Sequence, residues 1–347
     1  MNSMLMEPVT EPSAWRRADL ERDRSWEIRL DAAQRAELVA ALERNARRGL
    51  RAAEFARTEF ELPRLAPVLE GVLRAMEHGR GVALLRGLPV RDDDDEHNAR
   101  LLWGIGLYLG RALPQHPRVN LGGYRDDLVA TLVDQGLDYN RPEVHGAQTG
   151  AAQQAHCDPS DLVALMCVRP AASGGVSRIV SATAVYNEIL RTRPELLEAL
   201  YRGYRHYLRK LVHEGSGDGL TPARIPVFSY HLGRLSCNFN TRTVQAGVQV
   251  LEQPLPPAEQ QALDHMVTLT ENAALYYDMD LAAGDLQLLN NYTILHARSG
   301  WSDPPDPRRR RMMLRLWLKA PNARALAPGF AGGYVSGSSY DVAAAAY

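Results

Sequence analysis

Residues 1–30 mix polar and apolar positions without a clear period. From Asp31 the pattern becomes helical: in DAAQRAELVAALERNARR, Leu38, Ala41 and Leu42 recur at three- and four-residue intervals behind an aspartate suited to cap a helix. The first eighty residues are predicted to be mostly helical. GVALLRG (81–87) is short, apolar and bounded by glycine, as a core strand would be. DDDDEHNARLLWGIGLYLG (92–110) reads as a helix with its acids at the positive end. A metal site is the poorer account of these acids, because four consecutive carboxylates cannot converge on one ion.

Beyond residue 125 the texture changes. DLVATLVD, DLVALMCVRP, VSRIVS, IPVFSYH, RLSCNFN, DLQLLN, TILHAR and MMLRLWLK are short β-rich runs separated by Gly, Pro, Asn and Asp. Two segments with helical spacing, 182–203 and 256–274, interrupt them. The pattern predicts an α+β chain with a mainly β core, a sandwich or barrel. Its organisation is a helical N-terminal extension packed on the core (1–80), a core domain (81–320) and a C-terminal tail (321–347). The tail is rich in Ala, Gly and Ser and reads as a poorly packed extension, since such residues bury little apolar area.

Composition narrows the chemistry. A 347-residue chain can bury a sizeable core without staples. Forty Lys+Arg against 41 Asp+Glu give a net charge of −1, so no general basic field exists to hold nucleic acid or an anionic membrane. Only Lys210 and Lys319 are lysines, so the other basic residues are arginines. No Gly-Lys pair supports a phosphate-binding P-loop, and lysine Schiff-base chemistry has two candidates at most. GSGDGL (215–220) lacks the flanking strand and helix of a dinucleotide loop. Three cysteines without a CxxC pair support neither a zinc ribbon nor a disulfide framework. With no basic-then-apolar leader and no long uncharged apolar run, the chain reads as a cytoplasmic protein with no membrane contact. The oligomeric state is left open.

Two places carry candidate chemistry. In His156-Cys157-Asp158 an extended backbone would turn His156 and Asp158 to one face and Cys157 to the other. A neutral imidazole and a carboxylate so placed can share a metal, and a third ligand would complete the two-His-one-carboxylate triad of non-heme Fe(II) oxygenases. Taken alone, an HxD is equally a surface pair at a strand end. The second place is LNNYTILHARSGWSDPPDPRRRRMMLRLWLK (289–319), with His296 in an extended run. In its last strand Met312, Leu314, Leu316 and Leu318 form an apolar face, and Arg311, Met313, Arg315 and Trp317 the other. Arginines flanked by core need anionic partners, either protein carboxylates or a bound acid. No such carboxylate is evident in the flanking sequence. Arg308 to Arg310 read as a solvated loop after three prolines, without the interleaved aromatics of a nucleic-acid site.

The runs HCDPSDLVALMCVRPAASGGVSRIVSATAVYNEIL, RIPVFSYHLGRLSCNFN, DLQLLNNYTILHARSGW and RMMLRLWL, in this order over roughly residues 80 to 320, resemble the taurine dioxygenase-like (clavaminate synthase-like) family of Fe(II)/2-oxoglutarate oxygenases. The resemblance implies a double-stranded β-helix, or jelly roll, with helical insertions. It implies Fe(II) ligation by His156, Asp158 and His296, with 2-oxoglutarate as cosubstrate and O2 as oxidant. Arg311 matches the arginine that pairs with the distal carboxylate of 2-oxoglutarate. Ser177 stands where relatives commonly carry a threonine that bonds the same carboxylate. Arg315 matches an arginine that in several relatives reaches an acid of the primary substrate. Pro159 and Cys157 depart from the familiar pattern beside the metal. Asn238, Asn240 and Arg242, on one face of an extended RLSCNFNTR, are substrate-binding candidates, with solvent-facing hairpin residues as the competing account.

The implied activity is hydroxylation or desaturation of a small or medium organic molecule, with an acid group on it as the partner for Arg315, coupled to conversion of 2-oxoglutarate to succinate and CO2. The alternatives are epimerisation, ring formation or C–C cleavage at the same iron site, or a jelly roll that binds metal or an organic acid without turnover. Asp158 disfavours a halogenase, because halogenating relatives replace that carboxylate.

Overall fold

The computed structural model describes residues 4–115, 128–141, 144–208 and 217–330. Each of the eight apolar runs beyond residue 125 contains a strand. A larger sheet holds β1 (Glu27–Arg29), β2 (Val82–Arg86), β3 (Arg111–Leu113), β4 (Ala130–Leu132), β6 (Leu162–Arg169), β12 (Leu286–Asn290) and β15 (Met312–Lys319). Its order is β1-β2-β12-β6-β15-β3, with β4 also paired to β15. A second sheet holds β5 (Gln153–His156), β8 (Ser177–Ser181), β11 (Tyr276–Met279) and β13 (Ile294–Arg298), in the order β11-β8-β13-β5. Two short antiparallel pairs complete the β structure: β7 (Ser173–Gly174) with β14 (Trp301–Ser302), and β9 (Phe228–His231) with β10 (Arg234–Cys237).

The alternation of β15 explains how the layers stack. Met312, Leu314, Leu316 and Leu318 turn outward onto helices Ala32–Arg47, Ala66–His78 and Asp95–Leu109, where they join Leu38, Leu42, Leu69, Leu102 and Ile105 in one apolar cluster. Trp317 turns inward. It packs with Leu113 and Val163 of its own sheet against Ile179 and Ile294 of the second sheet, so the two sheets face each other as in a jelly roll. Helices Ala182–Thr192, Leu197–Arg202 and Pro257–Thr270 cover the far face of the second sheet through Val185, Ile189, Leu200, Leu263 and Met266. Asp31 accepts from the Gln34 backbone N–H at 2.8 Å, and Asp94 from that of His97 at 2.8 Å, so the acidic run at 92–95 is a helix start.

The N-terminal region, expected to be mostly helical, holds helices Arg17–Arg22, Ala32–Arg47 and Ala66–His78 and also β1, which pairs in parallel with β2 and extends the larger sheet. Two expectations are corrected. RLSCNFN does not stay extended: β10 ends at Cys237, and Asn240 caps the helix Thr241–Leu251 by accepting from the Thr243 N–H at 3.2 Å. The tail is packed over its first part. Phe330 is fully buried with Tyr292 and Ala327, and buried Arg324 pairs with Glu77 at 3.0 Å and donates to the Leu235 carbonyl. One aromatic and one ion-paired guanidinium anchor a segment whose small residues could not anchor themselves. Residues 331–347 lie outside the described residues.

Candidate metal centre

The second sheet brings the two histidines together. His156 closes β5, His296 is the middle residue of β13, and the antiparallel register sets them directly opposite one another. Their ring centroids are 4.3 Å apart. Asp158 follows in the loop after β5. Its carboxylate oxygens lie 3.9 Å from His156 Nε2 and 3.7 Å from His296 Nε2, and one ligand atom from each residue falls within 4.8 Å of the others. Among the described residues this is the one His/Cys/Asp/Glu group with metal-ligating geometry. His116 and His213 lie outside the described residues.

The protonation states suit a cation. His156 Nδ1 lies 2.8 Å from the Gln154 carbonyl, so that nitrogen is the donor and the Nε2 lone pair is left for the centre. Burial, with the neighbouring His156 and Arg315 adding to it against Asp158, pushes the His296 imidazole down to about 3, so it is neutral. Burial would raise the Asp158 carboxyl. Arg315, then the two histidines and the Trp317 N–H, outweigh it and hold the group well below the usual carboxylate range. Two imidazole nitrogens and one carboxylate fit a divalent first-row metal such as Fe(II). Cys157 points away from the centre and is buried among Val180, Ala182 and Leu295.

The loop after Asp158 is fixed from the chain's far end. The Asn291 side chain accepts from the Asp158 N–H at 3.1 Å and donates to Ser160 Oγ at 3.0 Å. These contacts hold the loop in which Pro159 stands.

Arg315 differs from its sequence reading. The flanking sequence offers it no carboxylate, yet its Nη1 donates to Asp158 Oδ2 at 3.3 Å and its Nε to Gln115 at 2.7 Å. Its principal acid is the protein's own. Nη2 alone is left without a hydrogen-bond partner.

Arg311 lies just before β15, against the glycine turn that precedes Ser177. Gly174 and Gly175 both have φ of +73°; a Cβ on Gly174 would sit 2.2 Å from the Gly300 carbonyl oxygen, and one on Gly175 3.2 Å from Arg311 Nε. Both conformation and space therefore call for glycine there. Ser177 pairs across the sheet with Arg298, and its hydroxyl accepts from Gln287 Nε2 at 3.0 Å. Arg298 and Arg311 both stack on the Trp301 indole, at 4.0 and 4.6 Å. Among the described residues neither guanidinium forms an ion pair, and Arg298 Nε and Arg311 Nη1 are buried without partners. Burial and the nearby Arg311 push Arg298 down to about 9. Arg298, Trp301 and Gln115 were not singled out from the sequence, and Trp317 only as a neighbour of Arg315 on one strand face; the signal for Arg298 was its place two residues after His296, on the same strand face.

The extended run expected to set Asn238, Asn240 and Arg242 on one face ends at Cys237, and a helix starts at Thr241. Asn238 is buried, its backbone N–H donating to the Val227 carbonyl and its side-chain Nδ2 left without a hydrogen-bond partner among the described residues. Asn240 is spent as a helix cap. Arg242 stacks over Tyr139 at 3.8 Å and donates to the Tyr139 and Arg141 carbonyls, tying down the loop at 139–141.

A jelly roll with two imidazoles and a carboxylate on its inner wall, next to buried arginines lacking counterions, defines a metal-dependent oxygenase that takes an organic acid as cosubstrate. Residues 46–317 match the model of the taurine catabolism dioxygenase TauD, TfdA family, and the chain belongs to that family. It is an Fe(II)/2-oxoglutarate-dependent dioxygenase that uses O2. It is similar to the FR-33289 synthase of Streptomyces rubellomurinus, 32% identical over 329 residues, covering 93% of this chain and 94% of that protein. A taurine hydroxylase-like protein of Stachybotrys chartarum is 26% identical over 322 residues, covering 89% of this chain and 79% of its own length. Among solved structures, asparagine oxygenase in complex with Fe(II), 3-hydroxyasparagine and succinate aligns with a TM-score of 0.65 at 17% identity, over 85% of this chain and 93% of that one. No helix among the described residues is long and apolar enough to cross a membrane.

Proposed function

We propose that His156, Asp158 and His296 bind Fe(II), that Arg311 and Ser177 hold the distal carboxylate of 2-oxoglutarate, and that the reaction hydroxylates a C–H bond of a small polar molecule of about amino-acid size. The observation that carries this reading is the convergence of the three donors across paired strands, with ionised Asp158 between two imidazoles. The iron, once bound, supplies the oxidative decarboxylation of 2-oxoglutarate to succinate and CO2 and the activation of O2. The rest falls to the chain. His156 and His296 offer Nε2, the first oriented by the Gln154 carbonyl. Arg311 offers a buried Nη1–H to a carboxylate, and bidentate binding of that kind suits a guanidinium. The acid-binding part first read into Arg315 is reduced to Nη2. An amino-acid-sized substrate is favoured by the asparagine oxygenase, whose complex holds a hydroxylated amino acid, and by the taurine hydroxylase-like relative.

The test is turnover under isotopically labelled dioxygen with a panel of amino acids and related small acids. One label is expected in succinate and one in the product. Label in succinate alone with every substrate would leave the hydroxylation reading without support. No conversion of 2-oxoglutarate in iron-loaded protein would favour a binding module instead.

A further inference from the structure

We propose that Trp317 is a positioning residue for the metal ligand Asp158: its indole N–H, with Arg315, reserves one carboxylate oxygen and leaves the other as the sole oxygen ligand. The inference rests on the ligand set proposed above. An ionised carboxylate has two oxygens, each with two acceptor lone pairs. Asp158 Oδ2 receives Trp317 Nε1 at 2.9 Å and Arg315 Nη1 at 3.3 Å, so both its lone pairs are taken by buried donors. Among the described residues no side chain donates to Oδ1; the histidines flank both oxygens, His156 Nε2 at 3.9 Å from Oδ1 and His296 Nε2 at 3.7 Å from Oδ2, so the donors and not proximity distinguish the two.

Each donor is held by contacts of its own besides their stacking on one another. The two-residue period of β15 puts Arg315 and Trp317 on one face, with the guanidinium over the indole at 4.4 Å. Gln115 grips Arg315 at both ends, accepting from its Nε at 2.7 Å and donating to its backbone carbonyl at 2.8 Å. The Trp317 ring is wedged between the sheets with Leu113, Val163, Ile179 and Ile294. Its acceptor differs from those of Trp15, Trp26 and Trp103, whose indole N–H groups go to backbone carbonyls; Trp301 also donates to a carboxylate, that of Asp303, which stands outside the donor triad. A carboxylate held to one oxygen occupies one position of an octahedron, and with two histidines leaves the three that a two-point cosubstrate and O2 require. A carboxylate free to bind through both oxygens would take a fourth.

The experiment is Mn(II) binding by the full chain, without cosubstrate, to wild type, His296→Ala and Trp317→Phe, with thermal melting of each metal-free protein. Trp317→Phe keeps an aromatic ring and removes the N–H. It is expected to bind Mn(II) about 10- to 100-fold more weakly. An affinity within twofold of wild type, while His296→Ala loses binding, overturns the positioning role. Failure of wild type to bind, or equal binding by His296→Ala, overturns the ligand reading itself. If Trp317→Phe does not fold, 3-benzothienylalanine at 317, which keeps the bicyclic shape without the N–H, is judged by the same criteria. A crystal structure of the Mn(II)-loaded proteins gives a readout that packing alone would not move: one Asp158 oxygen on the metal in wild type, two in the variant. Two in wild type overturns the proposal.

Discussion

Arg315 and Asp158, 157 residues apart in sequence, form a buried ion pair in which each side chain is less than a tenth exposed. Removing one member of such a pair strands the other charge in a low-dielectric site. Arg315→Leu is therefore expected to destabilise the metal-free protein by about 3–5 kcal/mol in urea titrations. The exposed pair Arg17–Glu21 is the control: Arg17→Ala should leave the urea midpoint unchanged. A loss below about 1 kcal/mol in Arg315→Leu would mean that the Trp317 N–H suffices to hold the Asp158 charge.

Metal removal separates the centre from its scaffold. The sheets are held by apolar clusters that do not involve His156, Asp158 or His296. Chelator treatment is expected to abolish succinate formation while leaving the far-ultraviolet circular dichroism unchanged. Fe(II) should restore activity. Zn(II) should not, because it fits the same donors but has no redox chemistry. Activity that survives exhaustive chelation would show that the triad is not the reactive centre.

What the sequence revealed, and what it hid, follows from range. His156 and Asp158 are two residues apart, and His296 sits in a strand whose alternation is plain, so the candidate donor set was legible. So was the apolar face of β15, because a period of two survives without knowledge of the partner sheet. The counterion of Arg315 was hidden, since Asp158 reaches it only through folding across the sandwich. Asn240 was misassigned for a different reason: an apolar run reads equally as strand or helix until its cap is recognised, and here an asparagine three residues ahead of Thr243 was that signal. The anchoring of residues 321–330 rests on Phe330 and Arg324, two side chains that average composition dilutes.

The reassignment of Asn240 has a direct check. A side chain that caps Thr241–Leu251 contributes about 1 kcal/mol through the Thr243 N–H. Asn240→Ala is expected to lose that much stability and Asn240→Asp to retain it, with divalent-metal affinity unchanged in both. Full stability of the alanine variant would return Asn240 to the pool of substrate-binding candidates.

Acid should weaken the metal-free fold well before the carboxylates titrate. Burial pushes His296 down to about 3 and His206 to about 4, whereas in the unfolded chain an imidazole titrates near 6.5. Between these values the unfolded state binds protons that the folded state refuses, so this contribution is complete above about pH 6.5 and is lost as pH falls. Each imidazole costs about 1.4 kcal/mol per pH unit between roughly pH 6 and 4. Asp158, held low, continues the trend in the same direction below about pH 4. Urea midpoints at pH 7.5, 6 and 5 should therefore decline steadily below pH 6.5; a flat profile would show that both rings accept protons in the folded state.

Arg311 should govern cosubstrate rather than metal. It lies against Gly175, keeps a buried Nη1 without a partner, and has its backbone N–H fixed by Asp303 at 2.8 Å, so its guanidinium is aimed by the fold before any acid arrives. Truncating one partner of a buried charge pair costs about 2–5 kcal/mol, which corresponds to a loss of 2-oxoglutarate affinity of about 30-fold or more. Arg311→Ala is thus expected to raise the 2-oxoglutarate Kd by at least that factor, while Mn(II) affinity measured without cosubstrate stays at the wild-type value. Ser177→Ala removes a single hydroxyl contact and should cost about fivefold, with Ser177→Thr close to wild type. Calorimetric titration of 2-oxoglutarate into Mn(II)-loaded variants distinguishes the outcomes: unchanged binding in Arg311→Ala would move the carboxylate site to the neighbouring Arg298, whose own unpaired Nε lies on the same indole.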